Sequence, residues 1–144
     1  MNWSEGVQAF KSYLLLERGL SKNTVVNYVY DVQKLVAYFE TNNIAIGPTK
    51  VSSSDLLQFI YEAAKEMKPS SQSRLLSGLR TFFDFLLVEG LRSNNPVTLV
   101  EPPKIGSVLP VTLSTSEFEK LLTSFAEDNP VDIRNAAILE MLYS

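Results

Sequence analysis

Between residues 69 and 90 the chain reads PSSQSRLLSGLRTFFDFLLVEG. Its large apolar residues recur at steps of three and four: Leu75, Leu76, Leu79, Phe82, Phe83, Leu86 and Leu87. That period places them on one stripe of a single long helix. The other side carries Ser73, Arg74, Ser77, Arg80 and Thr81, with no carboxylate before Asp84. A solvated helix face ordinarily mixes Glu with Lys. Hydroxyls and guanidinium groups without Glu suit phosphate oxygens and base edges. Two arginines also serve a plain solvent-facing helix, so both readings stand at this point.

Helical periodicity runs through the rest of the chain. A first helix is expected over residues 4 to 18, capped by Ser4, with Trp3, Val7, Phe10 and Leu14 stepping along one side. Gly19 stands where a left-handed C-terminal residue is wanted, and Ser21 caps a second helix over residues 22 to 41. Its seam is Val25, Tyr28, Val29, Val32, Leu35, Val36 and Phe39, and Asn42 and Asn43 end it. Lys22, Asn23, Thr24 and Asn27 fill its first turns. Free backbone N–H groups and a partial positive charge let such a helix start accept a phosphate, though an ordinary capped start has the same features.

Gly47 and Pro48 break the connection that follows. Ser52 or Ser53 is expected to cap a third helix to about residue 67, with Leu56, Leu57, Ile60, Ala64 and Met67 as its apolar positions. Ser70 is expected to cap the long helix already described. Gly78 in its middle costs ~1 kcal/mol relative to Ala. A close approach of another backbone, or of DNA, would account for it, as would sequence drift. Gly90 ends this helix, and one further short helix is expected around residues 96 to 100.

Residues 101–113 (EPPKIGSVLPVTL) have the composition of an interdomain linker. Beyond them, Ser114 and Glu117 form a capping box, and Leu113 and Phe118 stand at the positions of a hydrophobic staple. Phe118, Leu121, Leu122 and Phe125 give that helix its apolar face. Asn129 and Pro130 open a last helix with Ile133, Ala137, Ile138, Met141 and Leu142 on one side. Its pattern reaches Ser144 without a stop signal. Residues 108–144 are therefore expected to be the opening of a second domain that is cut short. No β-alternation competes with this all-α reading.

Composition narrows the chemistry. The 144 residues include no cysteine and no histidine. There is no disulfide framework or thiolate zinc site, and the usual general base and metal ligand are missing. No cofactor and no metal are expected. The N-terminus lacks a basic segment followed by an apolar run, and no window is long and apolar enough to span a membrane, which makes a cytoplasmic protein the default. The net charge is −3, but residues 1–107 hold 11 Lys and Arg against 10 Asp and Glu, whereas residues 108–144 hold 2 against 6. The acidity belongs to the last quarter, and the first part is free to carry a local basic face.

In order and spacing, several of these stretches together resemble the N-terminal half of a tyrosine site-specific recombinase of the Xer or phage-integrase kind. They are Leu20-Ser21-xx-Thr24-xxx-Tyr28-xx-Asp31; Ser71-xx-Arg74-Leu75-Leu76-Ser77-x-Leu79-Arg80-x-Phe82-Phe83-x-Phe85-Leu86; Asn95-Pro96; Pro103-Lys104 before Leu109-Pro110; Leu113-Ser114-xx-Glu117; and the run from Ile133 to Tyr143. The resemblance implies a SAM-like core-binding bundle of four to five helices over residues 1–107. A linker and two helices of a truncated catalytic domain would follow over residues 108–144. In that family the two domains clamp the duplex from opposite faces. The helices matching the second and fourth here face the major groove.

Carried over, Lys22, Thr24, Asn27, Ser71, Ser73, Arg74, Ser77 and Arg80 become DNA-contact candidates. Arg74 and Arg80 stand foremost, and Lys104 meets phosphate where the linker crosses the DNA. Tyr28 also matches, but its place in the apolar seam makes it a core residue first. The implied partners are double-stranded DNA and other recombinase protomers, assembled as a tetramer on it. No small-molecule substrate and no membrane are implied. Family catalysis runs through a tyrosine nucleophile and a 3′-phosphotyrosine, with arginines, a lysine and histidines around the phosphate. None of that set is matched in this chain, so the chain itself is expected not to cleave DNA. A different class, a helical protein-interaction module without nucleic acid, is favoured by the pI of about 5.0 and disfavoured by the Glu-free face of the fourth helix.

Overall fold

The computed structural model describes residues 1–102 and 112–143, and among them every regular element is helical. The chain forms two compact units, residues 1–105 and 106–144. In the first, α1 (Trp3–Ser12) runs into a π-helical turn, Tyr13–Glu17. Then come α2 (Lys22–Thr41), α3 (Ser53–Ala64), α4 (Pro69–Val88) and a 3-10 turn, Pro96–Leu99. In the second, α5 (Thr115–Thr123) and α6 (Pro130–Tyr143) follow.

Local chemistry sets most of these ends. Ser21 Oγ accepts the Thr24 N–H at the start of α2. Gly19 and Gly90 adopt φ of +59° and +67°, which terminate their segments in the conformation glycine adopts without strain. Two caps differ from expectation. Asn2, not Ser4, starts α1: its Oδ1 accepts the Glu5 N–H at 2.8 Å while Glu5 Oε2 accepts the Asn2 N–H at 2.9 Å. The reciprocal bonds satisfy two groups at once, which a lone Ser4 cannot do. At α4 the helix begins at Pro69 rather than after Ser70, because proline lacks an N–H and has a helical φ built in.

The core of the first unit is built on α4. Leu75, Leu76, Leu79, Phe82, Phe83, Phe85 and Leu86 are all buried. Trp3 lies between Phe39 and Phe82, with ring centroids 5.9 Å and 6.1 Å away, and its indole N–H donates to the Ile46 carbonyl at 2.7 Å. Phe10 meets Phe82 edge-on at 5.2 Å. Helix α3 turns differently from expectation: Leu56 and Phe59 are buried, whereas Leu57 is 49% exposed and Ala64 is exposed. Residues 56, 59, 60 and 63 form as good a helical stripe as the expected set. Packing selects between the two, since Tyr38 of α2 meets Phe59 at 5.2 Å.

Arg92 closes the far side of the unit. Its guanidinium donates to the carbonyls of Pro48 (3.0 Å), Val51 (2.8 Å) and Asn94 (3.2 Å) and lies over the Phe83 ring. This ties the loop before α3 to the segment after α4.

In the second unit the Ser114–Glu117 capping box forms. Phe118 is buried and stacks on Tyr143, with ring centroids 3.9 Å apart. Leu113 remains more than half exposed. The apolar side of α6, including Ile133, Ile138 and Leu142, faces solvent over much of its area.

Candidate nucleic-acid interface

Helices α2 and α4 carry the residues singled out from the sequence, and they join through one ion pair. Arg74 donates from Nη1 to Asp31 Oδ2 at 2.9 Å and from Nη2 to Asp31 Oδ1 at 2.8 Å, a two-pronged contact between planar groups. Asp31 is fully buried, while the Arg74 side chain keeps 43% of its exposure. Burial pushes the Asp31 carboxyl up from its ordinary range; Arg74, and more weakly Lys34, pull it back down. The carboxylate fits because Gly78 leaves room. A Cβ there would stand 2.6 Å from Asp31 Oδ2 and 2.9 Å from Asp31 Cβ. The close approach that Gly78 serves is that of a side chain, neither a backbone nor DNA.

Helical spacing arranges the other residues around this join. Thr24 and Asn27 lie on the same row of α2 as Asp31, at steps of three and four. Ser71, Arg74 and Ser77 form the matching row of α4. Lys22 lies about half a turn away from Asp31 around α2, and Arg80 about a third of a turn from Arg74 around α4. By this spacing Thr24 and Asn27 share the Asp31 side of α2, Ser71 stands beside Arg74 on α4, and Ser77 stands midway between Arg74 and Arg80. Lys22 and Arg80 lie outside the seam between Asp31 and Arg74, and Ser73 lies on the Arg80 side. Lys104 lies outside the described residues.

The bonding state of each side chain differs. Lys22, Asn27 and Arg80 are exposed. Among the described residues, the Arg80 guanidinium makes no hydrogen bond or ion pair. The Ser77 hydroxyl donates back to the Ser73 carbonyl at 3.1 Å, and Thr81 does the same to Ser77 at 2.9 Å, so each offers its oxygen mainly as an acceptor. Thr24 shares a hydroxyl–hydroxyl bond of 2.9 Å with Ser21.

Two further residues shape this face. A carboxylate at position 31, inside the apolar seam between Tyr28 and Val32, signals a buried charge that needs a cation; which cation is a tertiary fact. Asn95 is the other. Its Nδ2 donates to Asp84 Oδ1 at 2.7 Å and to the Arg80 carbonyl at 3.1 Å, while its Oδ1 accepts the Val97 N–H at 2.9 Å.

Residues 7–90 match the family described as "Phage integrase, N-terminal SAM-like domain". The chain is 35% identical over 139 residues to the tyrosine recombinase XerD of Listeria innocua, covering 96% of this chain and 47% of that protein. It is 37% identical over 139 residues to XerD of Proteus mirabilis, covering 96% and 44%. It thus spans a little under half the length of these relatives. Among solved structures, the integrase from mycobacterium phage Brujita superposes with a TM-score of 0.63 at 20% identity, over 84% of this chain and 40% of that one, and so shares its fold. The helical bundle, the match through α2 and α4 and the extended similarity to XerD lead to one conclusion: the chain belongs to the phage integrase family of tyrosine recombinases and carries its N-terminal SAM-like domain.

Proposed function

We propose that the first unit binds double-stranded DNA through the exposed edge of α2 and α4, as the DNA-holding part of a site-specific recombinase. A role connected with DNA recombination follows from the family. The finer reading rests on one observation above all: Arg80 projects from a helix face with no carboxylate N-terminal to it on α4, and among the described residues its guanidinium is uncommitted. Asn27 and Ser73 flank it or the adjoining seam, and Lys22 stands in the first turn of α2; all three supply further donors of the kind that phosphate and base edges take. Arg74 contributes differently. Its charge is largely answered by Asp31, so it serves to fix α2 against α4 and presents only its outer edge to a ligand.

In this reading residues 108–144 begin the catalytic domain, and the complete protein works in the cytoplasm as a tetramer on DNA. It joins strands through a 3′-phosphotyrosine, with its nucleophile and phosphate-binding cations outside this chain. The chain alone binds duplex without cutting it.

Fluorescence anisotropy of a labelled mixed-sequence duplex, titrated with the whole chain at several salt concentrations, tests this. Binding should weaken steeply with salt, and Arg80→Ala and Lys22→Ala should each flatten the log–log slope by about 0.9, the release of one phosphate contact. Absence of binding at low salt, or slopes unmoved by both changes, would overturn the reading in favour of a protein-interaction module.

A further inference from the structure

We infer that Asn95 is a positioning residue for DNA binding: it holds Asp84 away from Arg80 and so keeps the Arg80 guanidinium open for a phosphate. This rests on the proposed contact between Arg80 and DNA.

Arg80 and Asp84 stand one helical turn apart on α4. At that spacing their Cβ atoms lie roughly 5–6 Å from each other, and opposite charges ordinarily pair, although less well with the cation on the N-terminal side. Here they do not pair. The Asp84 carboxylate instead accepts the Asn95 amide at 2.7 Å.

Asn95 is not free to let go. The same Nδ2 also donates to the Arg80 carbonyl at 3.1 Å, and its Oδ1 accepts the Val97 N–H at 2.9 Å, so one side chain makes three bonds. It is held by the 3-10 turn that follows, where Pro96 and Val97 are buried against the bundle. The arrangement links two facts from different parts of the chain. The Asn95-Pro96 dipeptide caps a short turn, and the capping side chain reaches back to engage one oxygen of the first carboxylate on α4. Without it, Asp84 becomes an intramolecular competitor for the cation that the DNA backbone needs.

Asn95→Ser is the discriminating change. Serine can still cap Val97 N–H but is too short to reach Asp84. Asp84→Asn supplies the second background, since an amide at position 84 still accepts from Asn95 and cannot pair with Arg80 as a charge. The readout is anisotropy of the labelled duplex across salt, with each variant's unfolding followed by circular dichroism. Asn95→Ser is expected to raise Kd by about twofold, the scale of an i,i+4 ion pair, and to flatten the salt slope. In the Asp84→Asn background the same change should move neither. Parental binding by Asn95→Ser, or an equal loss in both backgrounds, overturns the inference. Arg80→Ala separates this from the underlying reading: an unaltered slope there removes Arg80 as a contact, whereas a flattened slope alongside a silent Asn95→Ser removes only the role of Asn95.

Discussion

Asp31 of α2 occupies the space that a side chain on Gly78 of α4 would need, its Oδ2 only 2.6 Å from the position of a Cβ there. Glycine in mid-helix is a local cost, yet here it lets a fully buried carboxylate reach the two nitrogens of Arg74. The two helices that carry the proposed DNA face are registered to each other at this point.

Replacing Gly78 by Ala should destabilise the domain by about 1–3 kcal/mol, the usual scale for overpacking, despite a helix-propensity gain of ~1 kcal/mol. Asp31 cannot yield cheaply, because it is buried and held by Arg74. In an Asp31→Ala background the cost should shrink, because the carboxylate is gone, but it should not vanish, because the Cβ 2.9 Å away remains. Urea unfolding of the four proteins checks this, and a stabilising Gly78→Ala in the parent would contradict it.

The two ends of the ion pair should not be equivalent. Arg74→Ala strands a buried carboxylate and should cost about 3 kcal/mol at neutral pH. Asp31→Asn leaves a half-exposed guanidinium that turns to water, and should cost less. Burial already raises the Asp31 pKa, and losing Arg74 raises it further. A carboxyl whose folded pKa lies above its unfolded value stabilises most below the unfolded value and loses that contribution as pH rises through the folded one. The deficit of Arg74→Ala should therefore be smallest near pH 4, about the unfolded aspartate value, and grow toward neutral. Denaturant midpoints across that range measure it; a deficit that shrinks with rising pH would refute the assignment.

Salt dependence should also separate the two foremost arginines. Arg80 has no ion-pair partner among the described residues, so its loss should remove about 0.9 from the slope of DNA binding. Arg74 is paired with Asp31, so Arg74→Lys, which keeps the charge but loses the two-pronged fit, should lower stability while changing the slope by less than Arg80→Ala does. Arg74→Ala, which removes the charge, should likewise change the slope by less than Arg80→Ala does; equal changes would show that Arg74 releases Asp31 to meet the DNA.

Arg92 makes its contribution through carbonyls. Lysine cannot reproduce three directed bonds and the stacking on Phe83, so Arg92→Lys should cost about 2 kcal/mol, the scale of a hydrogen bond involving a charged group. Hydrogen exchange should rise in residues 49–51 before it rises in α4. Unchanged exchange there would mean that the loop is held by other contacts.

In the second unit, hydrogen bonds from Ser114, first its hydroxyl and then its N–H, hold the Glu117 carboxyl below its usual range. A depressed carboxyl stabilises above its unfolded value and loses that effect as pH falls through the folded one. Helicity of α5 should therefore fall on acidification in the parent and show less of this dependence in Glu117→Gln. Chemical shifts of residues 115–118, followed by NMR, report it.

What the sequence by itself determined was mostly local. The extent of α2, the glycine stops at Gly19 and Gly90, the cap at Ser21 and the box at Ser114 and Glu117 depend on bonds between residues a few positions apart, and these are written in the order of the chain. Most of the apolar stripe of α4 was legible for the same reason, although packing buries Phe85, which the stripe omitted, and leaves Leu87 only partly covered; the ordered combination of motifs carried the family. Long-range packing decided the rest. Leu57 and Phe59 both fit a helical stripe, and packing against the core, Tyr38 included, turns Phe59 inward. Arg74 reads on its own helix as a free cation; its partner lies 43 positions away, on a helix whose approach requires Gly78. Arg80 and Asp84 read as a natural pair one turn apart, and Asn95 separates them. Charge state and availability depend on who reaches whom through space, which nearest neighbours in sequence do not specify.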